Sequence, residues 1–456
     1  MNLIHSELTI IGAGPAGLAA GFYARRARIP FTLFEANETV GGNARTLRAD
    51  DFSFDTGAHR FHSQDEAATR DLLELMGDEL LQINVPSQIV FNGRFIDFPL
   101  SPFNLIGNFG VSNLTRACFG LAWSRLFKQT EQTSFESAVV TRYGKTIADA
   151  FLLGYTEKLW GVPPSQLSPR VSGKRLQGLN LRTFLIEAFG GSRVKTEHLD
   201  GRFFYPRSGI GAIMDHFAAA CGHEQIRLKS RITHLYHTDH RISEIEINEA
   251  EQIPVSEIIS TLPLSVLLRN LHPAPPADML DAAKRIQFRN VVLVALFLDR
   301  ERITPNASLY FPDRTLPFTR IYEPRNRSIK MAPNGKTSLV VEIPTGFGSQ
   351  NWTANDSDLV ERTIEQLSSL RLIRKTTVLD SMVYRIPFAY PVLKLGFEET
   401  VAKLLTYLSR FENLHIIGRN GEFAYTHIHD LMKAGREAVQ KLKRPSEKPL
   451  LVEAPN

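Results

Sequence analysis

Two hydrophobic patterns alternate along this chain. Leu8-Thr9-Ile10-Ile11 is a four-residue apolar run closed by glycine, which predicts a short buried strand. A helix is predicted from Leu18 to Ala27, and Phe31-Thr32-Leu33-Phe34 reads as a second strand ending at Glu35. Much later, Ile226 to Leu235 and Arg241 to Ile247 read as two strands of a small hairpin sheet. Ile258-Ile259-Ser260-Thr261-Leu262-Pro263 and Leu414-His415-Ile416-Ile417 read as further strands, and His427 to Leu442 as a closing helix. Residues 65–200 carry helical periodicity, for example Ala67 to Met76 and Ser134 to Leu153. Residues 270–385 read as strands, at Val291 to Leu298, Ser308 to Phe311, Ser338 to Ile343 and Thr377 to Arg385. The tail Lys443 to Asn456, with its prolines and mixed charges, is expected to be loosely held.

Gly12-Ala13-Gly14-Pro15-Ala16-Gly17 stands between the first strand and its helix. Strand, G-x-G-x-x-G, helix, strand and terminal acid together form the β-α-β dinucleotide fingerprint. Gly12 allows the tight turn, Gly14 lets a diphosphate approach the backbone, and Gly17 lets helix and strand pack closely. The helix start, opened by Pro15 and continued by Ala16, offers the unpaired N–H groups that follow the proline and partial positive charge to phosphate oxygens. Glu35, followed by Ala36, is placed to accept hydrogen bonds from an adenosine ribose. No second fingerprint follows, so a dedicated nicotinamide domain is not expected.

Composition narrows the class further. A length of 456 residues predicts two or three domains, and 43% hydrophobic with 22% charged residues excludes a mostly disordered chain. Cys118 and Cys221 lie far apart and outside any C-x-x-C spacing, which argues against a disulfide framework or a zinc cluster. Two small buried thiols in a reducing cytoplasm are expected instead. The balance of 53 Lys+Arg against 48 Asp+Glu gives +5, which fits nucleic acid, a membrane surface or an anionic substrate. No long Lys/Arg run supports the first. Met1 to Glu7 runs straight into a strand, so no secretory signal is expected. The longest apolar run, Val291 to Leu298, is strand length, so no transmembrane segment is expected either. Phe103 to Phe127 reads as a helical pair inside the protein, with a monotopic membrane face as the alternative.

A family resemblance names the dinucleotide. Gly41-Gly42-Asn43-Ala44-Arg45-Thr46 and Phe54-Asp55-Thr56-Gly57-Ala58-His59 resemble segments of flavoproteins of the amine oxidase and protoporphyrinogen oxidase type. The resemblance implies FAD, with NAD(P)H a candidate reductant. Two glycines let the chain pass beneath the diphosphate and ribityl chain, and Arg45 can offer them a cation. By the same resemblance Ile232 contacts the adenine through its backbone. The expected fold is α/β: a discontinuous Rossmann-type FAD domain (1–64, 201–269, 386–456), a helical insert (65–200) and a β-sheet substrate domain (270–385).

Several segments resemble UDP-galactopyranose mutase more closely: Gly57-Ala58-His59-Arg60-Phe61-His62-Ser63, Gly154 to Gly161, Pro317 to Glu323, and Gly418 to Tyr425. That resemblance implies redox-neutral chemistry at N5 of reduced flavin on a nucleotide-activated sugar, with no metal. It places His59 beside the isoalloxazine. Arg320 falls on the substrate diphosphate with Arg182, or alternatively Arg175, as its partner. Arg419, after Gly418, and Tyr425 fall near flavin and diphosphate, and Trp160 on the sugar wall. An ion pair of Arg320 with Glu323 or Glu342 is the structural alternative. Phe423 and His427 depart from the mutase pattern, while Arg202 to Pro206, Ser208-Gly209-Ile210-Gly211 and Ala389-Tyr390-Pro391-Val392 look more like the protoporphyrinogen oxidase group. Two functions therefore follow: a sugar-nucleotide isomerase, and an FAD-dependent oxidase, dehydrogenase or desaturase of a small molecule.

Overall fold

The structure is a computed structural model that describes residues 7–98, 109–110, 115–116, 119, 133–171 and 202–443. Arg175, Arg182, Cys118 and most of the 103–127 stretch lie outside the described residues.

Five parallel strands form the first sheet, in the order Leu414–Ile416, Glu257–Ser260, Leu8–Ile11, Phe31–Phe34, Ile226–Arg227. All four residues of Leu8–Ile11 are buried, as a central parallel strand covered on both faces requires. The helix Pro15–Arg26 starts on a proline, whose missing N–H costs nothing at that position. It packs against the C-terminal helix Ile428–Lys443. A Cβ on Gly435 would stand 2.7 Å from the Ala20 nitrogen, so this crossing needs glycine. Cys221 is buried beside Gly21, and burial pushes its thiol up to about 12, which makes it inert.

The second sheet has seven strands, in the order Val378–Pro391, Phe288–Leu298, Thr337–Thr345, Arg320–Tyr322, Ser308–Tyr310, Ser87–Phe91, Arg94–Phe98. Its last two strands come from the stretch expected to be helical. They form a hairpin closed by Asn92-Gly93, both at positive φ (50° and 73°), the dipeptide favoured in such turns. Leu80–Asn84, in the same stretch, pairs with Arg202–Pro206. The expected Ser134–Leu153 helix is interrupted at Gly144 (φ 77°). The helix Asp356–Ser369, which the strand reading of 270–385 missed, packs on the seven-stranded sheet.

Two expected elements are also redrawn. Ile226 to Leu235 divides between sheets: Ile226–Arg227 joins the parallel sheet, and Ile232–Thr238 pairs with Arg241–Ile247. The chain turns at Lys229 (φ 52°), where the Ser230 N–H donates to the Glu35 carbonyl at 2.7 Å. The strand expected to stop at Arg385 runs on to Pro391 and so leads from the seven-stranded sheet towards the first. No helix of the described residues is long and apolar enough to cross a membrane.

Candidate active site

The two glycine turns face each other. Gly12 sits at φ 96°, and a Cβ there would fall 2.2 Å from the Thr261 Oγ1, which donates to the Ile11 carbonyl. A Cβ on Gly17 would fall 1.9 Å from the Gly12 oxygen. Gly41 and Gly42 are both at positive φ, and a Cβ on Gly42 would lie 3.1 Å from the Gly14 Cα. The Gly41 N–H donates to the Ala13 carbonyl at 2.7 Å and locks the turns together. Close backbone packing thus requires glycine at these turns, which meet at the N-terminus of the Pro15–Arg26 helix, where Ala16 is buried and the first N–H groups have no helical acceptor.

Glu35 closes the strand beside these turns. Its carboxylate accepts from the Ala13 N–H at 2.8 Å and the Asn37 N–H at 2.9 Å, and Ala36 beside it is exposed. Arg45 donates to the Thr39 hydroxyl and to the Tyr384 hydroxyl, while its Nε is buried with no hydrogen-bond partner among the described residues. Burial lowers the Arg45 pKa. Thr46 turns away: its hydroxyl donates to Asp55 at 2.8 Å and accepts from the Gly211 N–H. The Ile232 carbonyl accepts from Asn270, so that acceptor is engaged inside the protein. A clash-free glycine cleft, a helix N-terminus, an acid at the strand end and an unsatisfied buried guanidinium nitrogen fit the diphosphate and ribose of FAD.

A cavity of about 280 Å³ opens beyond these turns and is lined by residues from Asn43 to Ile428. It brings together His59, Arg320, Arg419, Tyr425 and Trp160. Gly57 (φ 141°) admits the His59 ring, since a Cβ there would stand 3.2 Å from the imidazole Nε2. That nitrogen is buried with no hydrogen-bond partner among the described residues. Burial first, then the charges of Arg419 and Arg320, push His59 down to about 3, so it is neutral at neutral pH.

Arg320 and Glu342 are directly paired across adjacent strands. The guanidinium donates from Nε and Nη2 to the two carboxylate oxygens, both at 2.8 Å. Burial opposes the Arg320 charge, and the Glu342 carboxylate outweighs it and holds the pKa well above the ordinary value. Glu323, the other candidate partner, instead accepts from the Ile303 and Thr304 N–H groups and the Thr337 hydroxyl. Arg419 donates to the Thr426 carbonyl and lies 5.1 Å from the centroid of the Tyr425 ring. Tyr425 and Tyr390 are stacked with centroids 6.0 Å apart, and Trp160 meets both edge-on.

Glu342, Tyr390, Tyr155 and Tyr310 line the cavity without having been singled out as site residues. Glu342 carried a readable signal, a charge inside the apolar run Ser338 to Ile343, which burial permits only if the charge is paired. Lys158 was missed as well. It donates to the carbonyls of Phe311, Asp313 and Phe318 at 2.6, 2.6 and 2.8 Å, and so seats the Gly154–Trp160 helix on the sheet. Burial lowers its pKa to about 8.

The family model described as "Flavin containing amine oxidoreductase" matches residues 15–442. The chain is 21% identical over 463 residues to coproporphyrinogen III oxidase of Bacillus subtilis (strain 168), covering 95% of this chain and 97% of that protein. It is 24% identical over 256 residues to protoporphyrinogen oxidase 2, chloroplastic/mitochondrial, of Arabidopsis thaliana, and the match spans only half the length of that relative. Among solved structures, reduced UDP-galactopyranose mutase superposes with a TM-score of 0.84 at 22% identity, covering 96% of this chain and 95% of that one. At that identity the likeness is one of fold.

Proposed function

We propose that this chain, which belongs to the flavin-containing amine oxidoreductase family, is an FAD-dependent oxidoreductase that takes hydride from a neutral or anionic small molecule held in the aromatic cavity. The observation that carries this reading is the Arg320–Glu342 pair. A sugar-nucleotide isomerase would set Arg320 on a substrate diphosphate, and here Glu342 meets its charge and takes hydrogen bonds from its Nε and Nη2, which disfavours that use. The relatives named as porphyrinogen oxidases support the oxidoreductase reading over the isomerase.

The turns at Gly12, Gly14, Gly41 and Gly42 would hold the FAD diphosphate, with Arg45 and Glu35 beside it. Bound FAD supplies the hydride acceptor. The chain does the rest by position and environment. Trp160, Tyr390 and Tyr425 present flat apolar surface that excludes water and can pack against the unsaturated rings of a substrate. His59, held neutral, can give or take a hydrogen bond without adding charge. Arg419 already covers the Tyr425 ring, so a protonated amine entering there meets a like charge.

The test is anaerobic mixing of oxidised holoenzyme with coproporphyrinogen III, protoporphyrinogen, planar carboxylic acids and amines. Bleaching of the flavin by one of the first three without added reductant is the expected result. Failure of all donors, with conversion of a nucleotide sugar by chemically reduced enzyme and no net oxidation, would restore the isomerase reading.

A further inference from the structure

The strand Val378–Pro391 carries a distortion where it passes the cavity. Arg289 pairs with Tyr390 and Val291 with Ile386, so Pro387, Phe388 and Ala389 lie opposite Asn290 alone. Pro387 has no N–H to give the ladder, and a bulge is where a strand accommodates that. Phe388 sits at φ 52°, a strained conformation for a bulky side chain that persists only where its surroundings impose it.

Three asparagines impose it. The Phe388 N–H donates to the Asn290 Oδ1 at 3.0 Å. Its carbonyl accepts from the Asn420 Nδ2 at 2.9 Å and from the Asn43 Nδ2 at 3.3 Å. Asn43 belongs to the Gly41-Gly42 turn and Asn420 follows Gly418-Arg419, so two sides of the flavin cleft meet on one backbone oxygen. The Phe388 ring is braced by Phe288 and Phe347, with centroids 5.2 and 5.6 Å away. Ala389 and Tyr390, the next two residues, line the cavity. A regular strand would give the segment a different register against Asn290 and re-aim Tyr390.

We propose that Asn43, Asn290 and Asn420 are positioning residues that clamp Phe388 in its bulge and thereby set Tyr390 against the cavity, tying the substrate wall to the glycine turns of the flavin cleft. This gives Asn43 a role apart from touching the cofactor. It rests on the cavity being the substrate site.

The test uses holoenzyme of Asn43→Ala, Asn290→Ala and Asn420→Ala, alone and combined with Phe388→Gly. Three quantities are read: flavin bound per chain, the fluorescence yield of the bound flavin beside the Tyr390 wall, and KM against kcat for any donor that bleaches the flavin. Each asparagine variant is expected to keep its flavin, to change the fluorescence yield, and to raise KM about tenfold with kcat nearly unchanged. Phe388→Gly, which adopts φ 52° without strain, should return both quantities most of the way in the Asn420→Ala background. Asn290→Asp is isosteric, and at this fully buried position its carboxyl takes up a proton, so compared with wild type at pH 5 it keeps a neutral acceptor for the Phe388 N–H and should recover most of wild-type behaviour, which covers the case in which Phe388→Gly does not fold. The proposal is overturned if flavin is lost in step with the other changes, since the asparagines then hold the cofactor. It is also overturned if Asn290→Asp and Asn290→Ala behave alike. The fluorescence comparison needs no substrate, so it stands even if no donor bleaches the flavin.

Discussion

Glu342 holds Arg320 with both carboxylate oxygens at 2.8 Å, and the same carboxylate accepts the Ala58 N–H at 3.1 Å. One buried acid therefore ties the loop carrying His59 to the sheet carrying Arg320. Glu342→Gln should leave the Arg320 charge uncompensated at a position only 14% exposed, at a cost of about 3–5 kcal/mol. Denaturant unfolding of the apoprotein checks this. Glu342→Gln with Arg320→Met should recover most of the loss, because no charge is then stranded.

His59 gives a pH dependence with a definite sign. Its folded pKa lies near 3, below the ordinary 6.5, so the unfolded chain takes up the proton first. Stability contributed this way is intact above about pH 6.5 and is lost as pH falls from there towards 3, by about 1.4 kcal/mol per unit. His59→Asn should lack that part of the acid slope. Chemical unfolding of both apoproteins across pH 7 to 4 measures the difference.

Gly42 and Gly396 separate backbone strain from the packing of one glycine turn on the other. Both sit at positive φ, 53° and 74°, so alanine at either should cost about 1 kcal/mol. A Cβ on Gly42 meets the Gly14 Cα at 3.1 Å, whereas one on Gly396 meets nothing within 4 Å. Gly42→Ala should lose most of its bound flavin by absorbance ratio, and Gly396→Ala should retain it.

Lys158 is expected to give the cavity wall an alkaline transition. Its pKa near 8 lies below the ordinary 10.5, so the folded protein releases this proton before the unfolded chain does. By linkage, stability relative to Lys158→Met rises between about pH 8 and 10.5, as the cost of the buried charge is relieved. Local opening of the Gly154–Trp160 helix would return the amine to water and to its ordinary pKa, so by the same linkage the helix is held more firmly in that range, with two amine hydrogens redistributed among three carbonyls. Trp160 emission should change with a midpoint near pH 8, and Lys158→Gln should abolish that change.

The expected glycine turns, the acid at the end of the second strand and the buried strands are all found in place. The failures concern length and partnership. The Asn92-Gly93 hairpin sat in a stretch read as helical because the periodicity of its flanking segments was extended over the whole of residues 65–200. The Ile226–Leu235 run was read as continuous, although the polar triplet Lys229-Ser230-Arg231 breaks its alternation at the place where the chain turns.

What the sequence determined by itself was the geometry of the two glycine turns, because positive φ, close backbone approach and a helix N-terminus depend on the residue occupying each position. What tertiary structure decided was which charges and carbonyls meet. Glu323 and Glu342 were both available to Arg320, and strand register put Glu342 opposite it. Asn43, Asn290 and Asn420 converge on Phe388 from three separate parts of the chain. Such pairings arise from long-range register and packing, and no local pattern encodes them.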